Sequence, residues 1–431
     1  MKKIFLSISL ICLLVAGKAQ ETVYPAPKQS KTVVITNATV HVGDGRVLDN
    51  TSIVITDGKI SMIGPNVAPP VGSEIVNGQG KHVYPGLILP ASNLGLVEVN
   101  SVRATSDARE IGQLNASIRS IVAYDTDSKV INTLRSQGIL LANVVPEGGI
   151  VSGSSSVVQL DAWNWEDAAY KIDGGIHFNM PALIKGFGGF GGGGQQPQVD
   201  PVKQGLEIVD QFKSFLREAK AYNAQPNHQT TNLKLAAVKG LFDKSQKLYI
   251  TANTVKQMLV ALDFVKQFGL DVVIVGGSDS WQIADLLKQN NVSVILNQPH
   301  SLPTLADDDI DQPYKTPAIL QKAGVLFSIN DDDGQTRGRN LAFNAGTAAA
   351  YGLTKEQALQ AITLNSAKIL GVADKTGSIE VGKDANIVVS TGDILDVRTN
   401  NITEAFIQGR KIDLDDKQKQ LNERYKHKYN L

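Results

Sequence analysis

From residue 247 onward the chain alternates between two kinds of pattern. Short runs rich in Val, Ile and Leu at 247–250, 272–275, 292–296 and 325–329 have the length and apolarity of strands buried on both faces. Between them the period changes. Residues 254–268 place Val255, Met258, Leu259, Leu262 and Val265 on one helical face. Residues 281–289, 318–322, 341–351 and 355–362 predict further helices. Strand and helix in alternation imply parallel β-α units. The stretch 85–374 suits an α/β fold of the TIM type, a (β/α)8 barrel; an open doubly wound sheet is the other arrangement with this alternation.

The two ends have a different texture. Residues 32–84 read as short strands at 32–36, 52–55, 59–63 and 74–77, separated by turns such as Gly43-Asp44-Gly45 and Asp57-Gly58. The same texture returns at 386–390 and 403–408, with Gly382 and Gly409 as punctuation. Residues 32–84 plus 375–412 are therefore expected to form one small composite β-sandwich. Residues 20–31, with Pro25 and Pro27, read as a linker, and the charged stretch 413–431 as a solvated helix or frayed tail. Residues 186–194 hold seven glycines in nine positions. They lack the Lys-Ser/Thr ending of a phosphate loop and read as a surface loop, with a substrate lid as the sharper alternative.

The start of the chain changes the expected location. Lys2-Lys3, an apolar run from Ile4 to Ala16, and Gly17-Lys18-Ala19 match a secretory signal over residues 1–19. The protein is expected to be exported, periplasmic or secreted, with no membrane attachment after removal of the signal. Lys plus Arg equals Asp plus Glu at 42 each. Loss of Lys2, Lys3 and Lys18 leaves 39 against 42, a net charge of −3. No basic excess is present to hold nucleic acid. The single cysteine, Cys12, lies inside the signal, so neither a disulfide scaffold nor a cysteine zinc site is expected.

Six histidines remain to be placed. In a β/α barrel the chemistry comes from the carboxyl ends of the strands, here near residues 89–95, 251–253, 276–279, 297–300 and 330–333. His300 is the one histidine among them, beside the carboxylates Asp279, Asp331, Asp332 and Asp333. His177 falls on a mid-barrel strand and reads as a core or rim residue. His41, His82 and His427 have no partner legible in the sequence. The run Asp307-Asp308-Asp309 reads as plain surface. Arg337 and Arg339 are expected to pair with the neighbouring Asp run.

Several segments carry a resemblance. Val83-Tyr84-Pro85-Gly86-Leu87-Ile88 after a β-rich start resembles the first barrel strand of the metal-dependent amidohydrolase superfamily. Leu353-Thr354-Lys355-Glu356-Gln357-Ala358-Leu359 and Ile362-Thr363-Leu364-Asn365-Ser366-Ala367-Lys368-Ile369-Leu370-Gly371 are similar to its closing helices. The most specific segment is Gly377-Ser378-Ile379-Glu380-Val381-Gly382-Lys383-Asp384-Ala385-Asn386-Ile387-Val388-Val389. The match runs from Thr32 to Ile412 and looks closest to the exported, imidazolonepropionase-like branch. It implies a barrel with a composite sandwich, a divalent metal, and hydrolysis of non-peptide C–N bonds in cyclic amides or related small molecules.

The implied metal ligands are missing. The His-x-His expected at the end of the first barrel strand falls on Ala91 and Asn93, and the later ligand positions fall on Asn253 and Gly276. The family aspartate falls on Asp331. A metal brings water from a pKa of about 15.7 to about 7, worth about 12 kcal/mol in forming hydroxide. A lone carboxylate cannot replace that. No cofactor is therefore expected. Two readings of function stand. In the first the barrel has lost its metal chemistry and acts by binding a small-molecule ligand, or by pairing with itself or an intact amidohydrolase relative. In the second it remains a C–N hydrolase through an altered site of His177, His300 and Asp331.

Overall fold

The computed structural model describes residues 24–65, 67–184, 200–331 and 336–431. The expected signal over residues 1–19 with Cys12, the glycine run 186–194, and Asp332 and Asp333 lie outside the described residues. Five strands come first: β1 Val33–His41, β2 Val47–Thr56, β3 Lys59–Pro65, β4 Glu74–Asn77 and β5 His82–Pro85. Eight follow: β6 Leu87–Ser92, β7 Ile139–Val144, β8 Val151–Gln159, β9 Ala169–Asn179, β10 Lys247–Ala252, β11 Val272–Gly276, β12 Ser293–Leu296 and β13 Phe327–Ile329. Three more close the chain: β14 Ile387–Ser390, β15 Ile402–Ile407 and β16 Arg410–Lys411.

Both chain ends build one eight-stranded mixed sheet, ordered β16-β15-β14-β5-β1-β2-β3, with β4 added on β1. Its junction explains a sequence feature. Ile387, Val388 and Val389 form an uninterrupted apolar run because both faces of β14 are covered. Ile387 and Val389 join the sheet's own core, with Ile35, Ile53 and Phe406. Val388 faces the larger core of the barrel.

The remaining eight strands form the barrel, in the order β6 to β13. Its two edges approach closure, where the Ala91 N–H donates to Asn330 Oδ1 at 3.3 Å. The expected barrel is present, with one departure from a repeated β/α plan. Strand β8 runs antiparallel to both β7 and β9, whereas the other pairings are parallel. Seven strands thus point one way and β8 points back, so a strand stands where a helix was expected. The helices cover the outside. Helix Val255–Phe268 begins in a capping box between Thr254 and Gln257 and ends at Gly269, whose φ of 69° suits the left-handed cap. Phe178 of β9 stacks on Phe212 at 4.4 Å and meets Phe264 at 5.6 Å, fixing two helices to the barrel wall.

The amino-terminal end of the barrel is sealed. Helix Leu364–Leu370 presents its last carbonyls there. Lys247 Nζ donates to Ile369 O at 2.6 Å, Lys171 Nζ to Leu370 O at 3.1 Å, and the Tyr249 hydroxyl to Ile369 O at 3.3 Å. Cations at a helix carboxyl end are favourable partners for its orphan carbonyls. Just past β8, the buried Asp161 carboxylate accepts from Arg135 at 2.5 Å, Arg410 at 2.8 Å and the Ala26 backbone at 2.9 Å. This cluster ties barrel, terminal sheet and the segment before β1 together, so the described part of the expected linker is anchored. The charged tail forms helix Lys417–Tyr429 with no buried residue, in line with its sequence. Among the described residues no helix is long and apolar enough to cross a membrane.

Candidate active site at the barrel mouth

Parallel strands bring β6, β7 and β9 to β13 to one rim, and β8 arrives there by its amino end. Most groups at this rim are neutral amides and hydroxyls, and they bond to one another. Asn93 Nδ2 donates to Glu147 Oε1 at 2.8 Å, and Glu147 Oε2 meets Arg109 at 3.1 Å. Asn93 Oδ1 is buried without a hydrogen-bond partner. Asn179 donates to Gly149 O and Ser152 Oγ, each at 2.9 Å, and accepts from Thr251 at 3.3 Å. The Asn253 carbonyl oxygen accepts from Ser278 at 3.2 Å. Glu147 and Asn179 were not among the sequence-derived candidates. The apolar run 139–144 would have marked Glu147 as following a strand; no comparable signal marks Asn179.

The three proposed catalytic residues occupy separate settings. His177 is 4% exposed on β9. Its Nε2 hydrogen bonds with Ser155 Oγ at 2.8 Å, and its ring stacks on Tyr249 at 4.8 Å and 5°. Burial pushes its imidazole down to about 3, so the ring is neutral near pH 7 and too weakly basic to activate water. His300 lies against helix Leu341–Ala350. The Thr347 hydroxyl donates to Phe343 O at 3.0 Å, so it accepts from His300 Nε2 at 3.1 Å. His300 lines a broad groove with Arg337, Lys355 and Asp393. Asp331 is 1% exposed and accepts from Asn344 Nδ2 at 3.0 Å, one turn before Thr347 on the same helix. Asp331 and His300 are thus anchored to one helix, while His177 belongs to the barrel interior.

Two other histidines have partners that the sequence did not reveal. His41 Nδ1 meets Glu356 at 2.7 Å, and His41 Nε2 meets His82 Nδ1 at 3.0 Å. The His41 ring stacks on Tyr84 at 4.4 Å. Burial, with His41 adding to it, lowers the His82 imidazole from its ordinary value. This chain of contacts joins the terminal sheet to helix Lys355–Ala361.

The rim can be tested against a divalent metal by its donors. Ala91 has none. The Asn93 and Asn253 amides are partly committed to Glu147 and Ser278. At Gly276 the backbone has φ of 99°, and a Cβ built there would stand 2.2 Å from Asn253 Oδ1. A side chain at this position needs both a strained backbone and a moved neighbour. Among the described residues no group of three or more His, Cys, Asp or Glu side chains is arranged to hold a metal. The residues present do not fit the group that the fold implies.

A sequence profile described as the amidohydrolase family matches residues 282–412. The crystal structure of an amidohydrolase from Thermotoga maritima superposes with a TM-score of 0.76 at 24% identity, covering 88% of this chain and 99% of that one. Residues 282–412 thus resemble the amidohydrolase family, and the chain shares the fold of the Thermotoga maritima amidohydrolase. The chain resembles imidazolonepropionases at low identity: 22% to that of Brucella anthropi and 23% to that of Mesorhizobium japonicum, each alignment covering 80% of this chain and 87% of the relative.

Proposed function

We propose that this chain is a non-hydrolytic amidohydrolase-superfamily protein, one that keeps the barrel and has given up metal-assisted C–N hydrolysis. The observation that carries the reading is the chemistry of four expected ligand positions. Ala91 lacks a donor, Asn93 and Asn253 offer only neutral amides, and Gly276 has a conformation and a neighbour that exclude a side chain. Tight binding of a transition metal draws on imidazole, thiolate or carboxylate ligands, and neutral side-chain amides do not replace them. The buried, neutral His177 and the helix-bound His300 supply no substitute. In this reading the protein acts by binding a small molecule, or by associating with itself or an intact relative, after export directed by residues 1–19.

Metal content is the direct test. The full chain, purified without chelator, is expected to carry substoichiometric zinc, manganese and iron by plasma mass spectrometry, and to hydrolyse no cyclic amide. Stoichiometric metal that survives gel filtration would sink the reading.

A further inference from the structure

A second cavity lies away from the barrel axis, and its position follows from strand register. Phe178 packs outward on helix Pro201–Asn223, and Ile250 is its neighbour on β10. Two residues on, Ala252 shares that outward face with its β11 partner Gly276; Leu296 and Ile329 continue the row on β12 and β13. Gly276, Leu296 and Ile329 form the floor of a narrow cleft of about 40 Å3, roofed by helix Gln312–Ala323. The cleft lies on the outer face of the strands at their carboxyl ends, beside the mouth where a barrel enzyme's chemistry sits.

The cleft has an electrostatic sign. Its ionisable lining residues are Asp279 and Asp308, and no Lys, Arg or His is among the described lining residues. Asp308 already accepts from the Leu305 backbone at 3.1 Å. Asp279 is 5% exposed, and its Oδ1 is buried without a hydrogen-bond partner. A buried carboxylate oxygen with no donor is costly unless a ligand supplies one. Trp281, Pro299 and Pro313 give the same cleft apolar walls, and Asn297 and Gln298 add neutral polar groups.

We propose that this cleft binds a slim organic cation, a primary ammonium on a short apolar stem. The ammonium would donate to Asp279 Oδ1, and the stem would lie along Trp281 and the prolines. A carboxylate ligand would meet Asp279 and Asp308 at like charge. A neutral alcohol would fill the same space and offer one uncharged donor.

The test uses the full chain carrying Trp163→Phe and Trp165→Phe, which leaves Trp281 as the fluorescent reporter. It is titrated with n-butylammonium chloride, 1-pentanol and sodium butyrate. Butylammonium is expected to bind most tightly, pentanol more weakly, and butyrate not at all. Asp279→Asn is expected to weaken butylammonium by about tenfold or more, the loss of a charge-assisted hydrogen bond, and to leave pentanol unchanged. If Asp279→Asn does not fold, the three-ligand series on the parent decides. Butyrate or pentanol matching butylammonium, unchanged butylammonium binding in Asp279→Asn, or no response to butylammonium would each overturn the proposal.

Discussion

The two ends of the barrel are built from opposite materials. At the sealed end, charged side chains meet partners matched to them: Lys171 and Lys247 meet helix carbonyls, and Asp161 meets two arginines and a backbone amide. At the mouth and its flank, amides and hydroxyls dominate, and several buried atoms have no partner, among them Asn93 Oδ1, Asp279 Oδ1 and Ser280 Oγ. The sealed end is where polar groups stabilise the fold. Arg135 Nε and Gln246 Oε1 are likewise unpartnered at the sealed end, so the two ends differ in how their charges are paired and not in complete satisfaction of polar atoms.

That contrast can be broken most forcefully at Asp161. Asp161→Ala leaves Arg135 and Arg410 buried without their shared carboxylate, and is expected to cost about 3–5 kcal/mol in urea unfolding. His177, inside the barrel, makes the comparison depend on pH. Its folded value of about 3 lies below the ordinary 6.5, so the unfolded chain takes the proton first. Stability is therefore lost as pH falls below the ordinary value, by about 1.4 kcal/mol per unit until the folded value is reached. His177→Gln is expected to remove about 2–3 kcal/mol of the difference between unfolding at about pH 7 and at about pH 4.5. The depressed His82 leaves a smaller acid sensitivity of the same sign in that variant.

A gain-of-function attempt probes the mouth. Gly276→His is expected to destabilise by about 2 kcal/mol through its backbone conformation and its clash with Asn253, and to bind no zinc by titration. The smallest effect belongs to Asn93→Ala. It deletes one bond to Glu147 together with an unpartnered buried oxygen, and the two changes offset, leaving the unfolding free energy within about 1 kcal/mol of the parent. A loss comparable to that of Asp161→Ala would erase the distinction between the two ends.

Much of the architecture was legible because doubly buried strands advertise themselves. The runs ending near Ala252, Gly276, Leu296 and Ile329 are apolar throughout, and Thr254 with Gln257 marks a helix start. Strand β8 was not legible. Its sequence, Val-Ser-Gly-Ser-Ser-Ser-Val-Val-Gln, resembles a loop, yet every residue in it is buried. The serine hydroxyls make this tolerable: Ser154 bonds Asp173, Ser155 bonds His177, and Ser156 accepts from the Asp173 backbone. At the site, the sequence placed Ala91, Asn93, Asn253, Gly276 and Asp331 at or just past strand ends, where the structure also has them. It did not reveal the conformation of Gly276, which depends on a neighbour from another strand. Nor did it reveal the contact between His41 and Glu356, which lie 315 residues apart in the sequence.

The reversed strand also bears on how the chain reaches its fold. Parallel neighbours in a barrel must wait for a crossover helix before they can pair, and closing such long loops costs entropy. Strands β7, β8 and β9 escape that delay, because they follow one another as an antiparallel meander with short connections. Pairings of low sequence separation form early. This meander is therefore expected to be the first part of the barrel to order, offering one edge to β6 and the other to β10. Pulse-labelled hydrogen exchange during refolding should find protection at residues 139–144 and 151–179 before it appears at β11 to β13.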